Sequence, residues 1–446
     1  MISTLGNSKQ RSALFIAIVL AGGQPPMKVQ ADDANDQPPS VQEARRLSVH
    51  EAQQIAYERN WDLLAAKSDV DLATAQKIVS HEFPNPTFSM TTSKISTDRS
   101  PNSTSLGNGV WDRSYDTVVA INQLFEIGGK RASRQASAAA GLNAAEARLQ
   151  DARRTLSLGV IQAYVAALLA ETNVSILRHS AATLRQEAKI AETRLQAGDI
   201  SVAERSQIEI SADRLELEAT AAEASAASAR IALEILLGEK NPSGHWRPSD
   251  SIESLTRWET PPAIGAAALG RPDLRAAESL QKKTEMDLRL QQAMRVPDPT
   301  LFVQYEHEPP DLPNTVGIGV SFPVPLWHRN RGNIQAATAA REQAKTQVEK
   351  LRAQIAAEIA TARVIYSNAL ERWRRHRDEV QPKSAGVRET VSFAYEKGGA
   401  SLLDLLTAQR SDNEVRLATA QATADTANAA ASLRAALNLP LDPLKK

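Results

Sequence analysis

The sequence predicts a mainly α-helical chain with a small membrane-spanning β part, arranged as two copies of one long helical hairpin. Three observations carry that expectation. The first is internal repetition. Leu195-Gln196-Ala197-Gly198-Asp199-Ile200-Ser201 is echoed by Tyr395-Glu396-Lys397-Gly398-Gly399-Ala400-Ser401, and Phe83-Pro84-Asn85-Pro86-Thr87 by Val296-Pro297-Asp298-Pro299-Thr300. A repeated unit of this kind does not normally bury its apolar surface alone. The second is a helical pattern that runs without proline from Gly129 to Gly198. About 68 residues at 1.5 Å each make a rod on the order of 100 Å long. The third is period-two alternation in two short segments of each copy, the mark of a wall with one apolar and one wet face.

Composition narrows the function. With 52 basic and 52 acidic residues the formal net charge is zero, which argues against a nucleic-acid partner held by bulk electrostatics. Aromatic content of 4% is low for an ordinary core but suits long helices packed through small side chains. The absence of cysteine excludes a disulfide framework, a thiolate metal site and a lipid-modified N-terminal cysteine. The seven histidines show no paired i, i+4 spacing. No Ser/His/Asp, phosphate-loop or dinucleotide signature is present, so neither an enzyme nor a cofactor is expected.

Residues 1–31 read as a secretory signal: Lys9 and Arg11, the apolar run Ala13 to Ala21, and small residues before a cleavage site near Ala31. Residues 32–46 follow as a flexible segment. No other apolar run is expected to reach the roughly 18 residues of a transmembrane helix, so any membrane passage falls to strands in a closed barrel.

The first repeat spans 47–238. Ser48 and Glu51 form a capping box for a helix that reaches about Glu82, where Pro84 and Pro86 stop it. Strands at roughly 87–95 and 115–125 flank a loop rich in Ser, Asn, Thr and Gly. The rod to Gly198 and a returning helix over 201–237 come next, with Gly238 as terminator. An irregular connection covers 239–270, marked by Pro242, Pro248, Pro261 and Pro262.

The second repeat, 271–439, opens at Arg271-Pro272-Asp273-Leu274, parallel to Arg59-Asn60-Trp61-Asp62-Leu63, and its helix extends to about Arg295. Leu301, Val303 and Tyr305 then alternate with Phe302, Gln304 and Glu306, and Val316, Ile318, Val320 and Phe322 with Gly317, Gly319 and Ser321. A second rod over 329–397 kinks at Pro382. Within it Val348, Leu351, Ile355, Ile359 and Ala362 keep coiled-coil spacing. A last helix over 402–437 and a tail, 440–446, complete the chain.

Four strands do not close a barrel, since the narrowest membrane barrels need about eight, so the membrane reading requires oligomerisation. At this point the sequence resembles the outer membrane efflux protein family, the TolC-like exit ducts, over about Leu47 to Leu439. The resemblance rests on Gln123-Leu124-Phe125 with Gly128-Gly129-Lys130-Arg131, on Phe322-Pro323-Val324-Pro325-Leu326-Trp327 with Arg329-Asn330-Arg331-Gly332-Asn333, and on the two Gly-Xaa-Xaa-Ser turns at Gly198 and Gly398. The second of these looks most like the heavy-metal cation exporter (CzcC-like) branch.

That resemblance implies a homotrimer whose four strands per chain build a twelve-stranded outer membrane β-barrel in outer membrane lipid, with the hairpins forming a periplasmic α-barrel. It also implies a periplasmic adaptor and an inner membrane resistance-nodulation-division pump as partners, and no chemistry. Position by position, the family's periplasmic gate falls on Glu204, Asp404 and Tyr395. The family's arginine and second acid are replaced by Ala400 and Thr407, which leaves closure to Leu402, Leu403 and Leu406. Ordinary solvated charges in first helical turns are the alternative for the two acids. Gly198, Asp199, Gly398 and Gly399 become adaptor contacts, or turn residues alone. Phe83, Phe125, Phe322 and Trp327 become a membrane-interface girdle, or core plugs, with Trp111 and Tyr115 at the other rim. Glu306, His307 and Glu308 are not expected to bind metal, because neighbours along a strand point in alternating directions. Competing functions are a periplasmic adaptor, which carries one hairpin rather than two, and a structural coiled coil, which needs no alternating strands.

Overall fold

The protein is described by a computed structural model at residues 45–93, 116–256, 270–308 and 312–441, all within the unit that starts at Ala44. The signal peptide, nearly all of segment 32–46, the tail beyond Leu441, part of the 239–270 connection, Trp111 and Tyr115 lie outside the described residues.

The elements are β1 (Arg45–Leu47), α1 (Val49–Arg59), α2 (Trp61–His81), β2 (Thr87–Ser93), β3 (Asp116–Leu124), α3 (Lys130–Gln196), α4 (Val202–Leu236), β4 (Trp246–Pro248), α5 (Pro272–Ala293), β5 (Thr300–Glu308), β6 (Leu312–Ser321), α6 (Arg331–Arg375), α7 (Gln381–Glu396) and α8 (Leu402–Ala436). Ser48 and Glu51 form the expected capping box. The single first helix, however, is two. Asn60 is buried and takes an extended backbone, its side-chain oxygen accepting from Leu63 N at 3.0 Å while its amide donates to Leu236 O at 3.0 Å. It therefore ends one helix and caps the next, which hydrophobic periodicity does not register. The second rod is also interrupted, at a π-helical stretch His376–Val380 just before Pro382. The proline itself sits in the first turn of α7, where its missing N–H is tolerated.

The four long strands make one antiparallel sheet in the order β2-β3-β5-β6. Its register aligns Phe88, Ile121, Val303 and Ile318 in one cross-strand row, and Met90, Val119, Tyr305 and Val316 in the next. Rows on the other face hold Ser89, Ala120, Gln304 and Gly317, and Thr87, Asn122, Phe302 and Gly319. One face is thus large and apolar, the other mostly small or polar with Phe302 as its exception, as period-two alternation requires. Gly319 makes room for its neighbour: a Cβ there would lie 2.3 Å from Phe302 Cζ.

The helices keep the same four-wide order. Near the sheet α2 packs on α3, α3 on α5, and α5 on α6; further away α4 packs on α3, α3 on α8, and α8 on α6 and α7. Among the described residues each layer therefore has two free edges, β2, α2 and α4 on one side, β6, α6 and α7 on the other. Small residues permit the close packing. Buried Ala424, Ala427, Ala431 and Ala435 of α8 join Val160, Ile161, Tyr164 and Val165 of α3 in the largest apolar cluster. One expectation needs correction here, because α3 is long and apolar enough, by length and composition, to cross a membrane. Its alanines dilute the charge without forming a run of large apolar residues. In the fold 39% of its most apolar stretch is buried, and those residues pack with α1, α4 and α8.

The second repeat is anchored by Arg271, 2% exposed. Its guanidinium pairs with Asp273 at 2.6 Å and Glu358 at 2.7 Å and donates to Ala436 O at 3.3 Å, tying the start of α5 to α6 and to the end of α8. Arg271→Ala, which leaves partly buried Asp273 without its partner while Glu358 stays solvated, is expected to cost roughly 3 kcal/mol. Arg271→Lys should recover only part of it, because lysine lacks the fork. Thermal unfolding of the detergent-solubilised protein reads both, and an unchanged melting temperature in the alanine variant contradicts the assignment.

Candidate functional site

Two regions gather the residues singled out from sequence: the helix turns at one end of the hairpins, and the junctions between strands and helices.

The two turns are built alike. Gly198 (φ 82°) and Gly398 (φ 78°) take the left-handed conformation. Asp199 N donates to Arg194 O at 2.9 Å and Gly399 N to Ala394 O at 2.8 Å, closing a Schellman motif at each helix end. A Cβ on Gly198 or Gly398 meets nothing within 4 Å, so backbone angle rather than space requires glycine there. Gly198, Asp199, Gly398 and Gly399 are all exposed.

Both acids following the turns are engaged. Ser201 accepts from Glu204 N while the Glu204 carboxylate accepts from Ser201 N at 3.0 Å; Ser401 and Asp404 repeat the arrangement at 3.1 Å, with Ser401 Oγ donating to Asp404 at 2.6 Å. Within one chain each carboxylate is therefore a helix cap, with Glu204 half-buried and Asp404 exposed. The side-chain and backbone hydrogen bonds from Ser401 hold the Asp404 carboxyl below its ordinary 3.8. Its stabilisation of the cap is complete above that value and is lost as pH falls through the lowered one.

Tyr395 lies in a small core between the two hairpins with Leu184, Ala191, Ile208, Leu402 and Leu405. It is 3% exposed, and burial pushes its hydroxyl up. The hydroxyl meets no hydrogen-bond partner. The residue that grips this tyrosine was not read from the sequence: Arg194 donates to Tyr395 O at 3.0 Å and lies 5.1 Å from the ring centroid. Of the leucines expected to close the tip, Leu402 is buried and Leu406 half-buried, whereas Leu403 is 73% exposed.

Above the tip sits a buried polar layer that sequence reasoning also missed. Asp412, 3% exposed, takes Arg388 at 3.1 Å and Arg416 at 2.8 Å, and Ser392 donates to buried Glu187 at 2.6 Å. The sequence did carry a signal, since Asp412 falls seven residues after Leu405 and seven before Thr419, a core position of the heptad.

At the junctions the motif residues are held in place, some across the two repeats and some within one. Lys130 pairs with Asp298 at 2.7 Å and donates to Val296 O at 2.5 Å, and Ile127 N donates to Asp298 at 2.9 Å. Arg131 lies 3.7 Å over the Phe83 ring. Asn330 reaches φ 54° and its amide donates to Gln291 O at 2.7 Å. Phe83, Phe125, Phe322 and Trp327 are 68, 47, 58 and 92% exposed in the chain, so they are not core plugs within it. At the far end of the sheet Asp116, Glu306 and Glu308 bring carboxylate oxygens within 4.8 Å of one another. His307 turns aside, its Nδ1 3.2 Å from Asn314 Oδ1.

Comparison with known proteins adds to this geometry. The family profile described as outer membrane efflux protein matches residues 52–239 and 263–439. The cobalt-zinc-cadmium resistance protein CzcC of Cupriavidus metallidurans is 23% identical over 83% of this chain and 85% of its own length. Among solved structures, CusC superposes with a TM-score of 0.74 at 19% identity, covering 87% of this chain and 91% of that one. The outer membrane protein VceC of Vibrio cholerae gives 0.70 at 21%, covering 88% and 97%.

The tip geometry separates two variants. Arg194→Ala removes a carbonyl donor and a cation over a ring and is expected to cost about 1–2 kcal/mol. Tyr395→Phe removes only an unpartnered hydroxyl and should stay within about 0.5 kcal/mol of the parent. Denaturation of the solubilised protein measures the pair, and equal losses would show that the hydroxyl is bonded after all.

Proposed function

Since the chain belongs to the outer membrane efflux protein family, it is an outer membrane efflux channel, and we propose that it works as a homotrimeric exit duct for heavy-metal cations. The observation that carries this reading is the four-stranded sheet with one large apolar face and, among the described residues, two unpaired edges. Hydrocarbon does not tolerate open edges, and three copies supply twelve strands, enough for one closed barrel. The apolar rows then face lipid, and the small, polar rows with Gly317 and Gly319 line the lumen.

The hairpins, on the order of 100 Å of helix, extend from that barrel into the periplasm. Exposed Gly198, Asp199, Gly398 and Gly399 then meet a periplasmic adaptor that joins the duct to a resistance-nodulation-division pump in the inner membrane. Phe83, Phe125, Phe322 and Trp327, exposed at the junctions, sit at the membrane interface, where aromatic side chains are favoured. The duct does no chemistry on what it passes. A periplasmic adaptor is the weaker reading, because two hairpins with strands between them exceed what that role uses.

For cargo, the resistance relative supports divalent metal cations. At the tips, three copies of Glu204 and of Asp404 place up to six carboxylates about one opening, where they attract and retard cations. Their capping bonds leave the negative charge in place. Tyr395 and Arg194 hold the two hairpins of each chain together beside that opening.

Outer membranes extracted without boiling should yield a heat-sensitive trimer, and a soluble periplasmic monomer would contradict the channel reading. In planar bilayers Asp404→Asn should weaken block by divalent cations severalfold, and unchanged block would remove Asp404 from the gate. Disruption of the chain should raise cellular zinc, cobalt or cadmium, and unchanged accumulation of all three would overturn the cargo.

A further inference from the structure

The small and polar face of the sheet carries one large side chain, Phe302, and its ring does not stand up from the wall. Leu301 and Val303, its neighbours on the opposite face of β5, are 48 and 55% exposed, whereas Phe302 is half-buried. Among the described residues the four strands pack chiefly on one another, so the cover over Phe302 comes from the sheet that bears it. Gly319 of β6 is its direct cross-strand partner. A Cβ built there would lie within 3.0 Å of Phe302 Cε1, Cε2 and Cζ. Cross-strand Cβ positions are about 5 Å apart. A ring whose far edge occupies that point has crossed to the next strand and lies along the wall.

The neighbouring side chains lie down in the same way. One row nearer the far end of the sheet Gln304 covers Gly317, where a Cβ would be 3.1 Å from Gln304 Cγ and 3.4 Å from Nε2. On the other flank of Phe302, Asn122 leans away from it, its amide donating to Thr87 O and Ser89 Oγ at 3.4 Å each. Neither Gly317 nor Gly319 takes a left-handed backbone, so space rather than backbone angle requires glycine at both. Glycine inside a strand marks such a close approach, and an aromatic side chain laid over it covers the backbone it leaves bare.

We propose that Gly319, with Gly317 beside it, is a positioning residue for the passage of cargo: it gives Phe302 a floor to lie on and so keeps the bore of the barrel wide. This rests on the reading of that face as the lumen, and adds what sets its width. Three copies place three Phe302 rings at one height. A side chain at position 319 displaces the ring, and Asn122 and Gln304 already cover the wall on two flanks, so the ring turns toward the lumen. The bore is then narrowed by three aromatic rings and not merely by the added side chains.

The chain has no cysteine, so Ser321→Cys, on the same face one row closer to the helices, supplies a single thiol below the rings. Intact cells are labelled from outside with maleimide-polyethylene glycols of graded size and with a small trimethylammonium methanethiosulfonate. Gly319→Val should slow labelling by the largest polymer that still reaches the thiol severalfold, and leave labelling by the small cation unchanged. Adding Phe302→Ala should restore the polymer rate, and Phe302→Ala alone should change it little, because the ring already lies flat. Should Gly319→Val not assemble, Gly319→Ala gives the same signs, since its single methyl already meets the ring. An unchanged polymer rate, or slowing that persists in the double variant, overturns the role of Gly319 while leaving the channel standing. A thiol that the small cation does not reach in the Ser321→Cys protein overturns the lumenal face and the role of Gly319 together.

Discussion

A β-strand placed in hydrocarbon must satisfy every backbone N–H and C=O from another strand, because no water is there to do it. The main sheet has four strands, paired as β2-β3-β5-β6, and among the described residues one side of β2 and one side of β6 are unpaired. The deficit is not local. The helices repeat the four-wide order with the same free sides, so whatever completes the sheet must continue along the hairpins. Copies of the chain meet that demand without new structure, and the internal repeat makes the resulting wall nearly regular.

A wall only one helix thick needs close packing on little apolar mass. Alanine supplies it: the buried face of α8 is largely Ala, Thr and Leu, and it seats α3, α6 and α7. Wider side chains are kept for special places, such as Tyr164 stacked on Trp246 at 6.0 Å beside the short β1–β4 pair. Polar groups in the same helices serve alignment. Asp412 between Arg388 and Arg416, and Glu187 with Ser392, hold one arrangement of α3, α7 and α8 where an all-alanine interface would allow sliding.

Most of the fold was legible because long-range repetition and period-two alternation are properties of sequence alone. The glycine turns, the strand pairs, the rods and the Ser48–Glu51 cap all follow from local rules. What was not legible depends on contacts far apart in the chain. Asn60 looks like any polar residue in a helix until Leu236 O comes within reach of its amide. Pro382 marked a kink in the second rod, but not that the turn before it, His376–Val380, is π-helical. At the tip, the sequence located Glu204 and Asp404, and their capping bonds with Ser201 and Ser401 were equally readable three residues upstream. Arg194 was not, because its partner is a backbone carbonyl 201 residues away. The junction motifs were recognised as patterns, but their reason is tertiary, with Lys130 of one repeat held by Asp298 of the other.

Electron cryomicroscopy of the full chain, extracted from outer membranes in mild detergent, tests the account most directly. It should show a threefold ring of one continuous barrel, with β2 of each copy hydrogen-bonded to β6 of the next and an open lumen running into the helical layer. Single copies, or a twofold pair in which like edges meet, would contradict it.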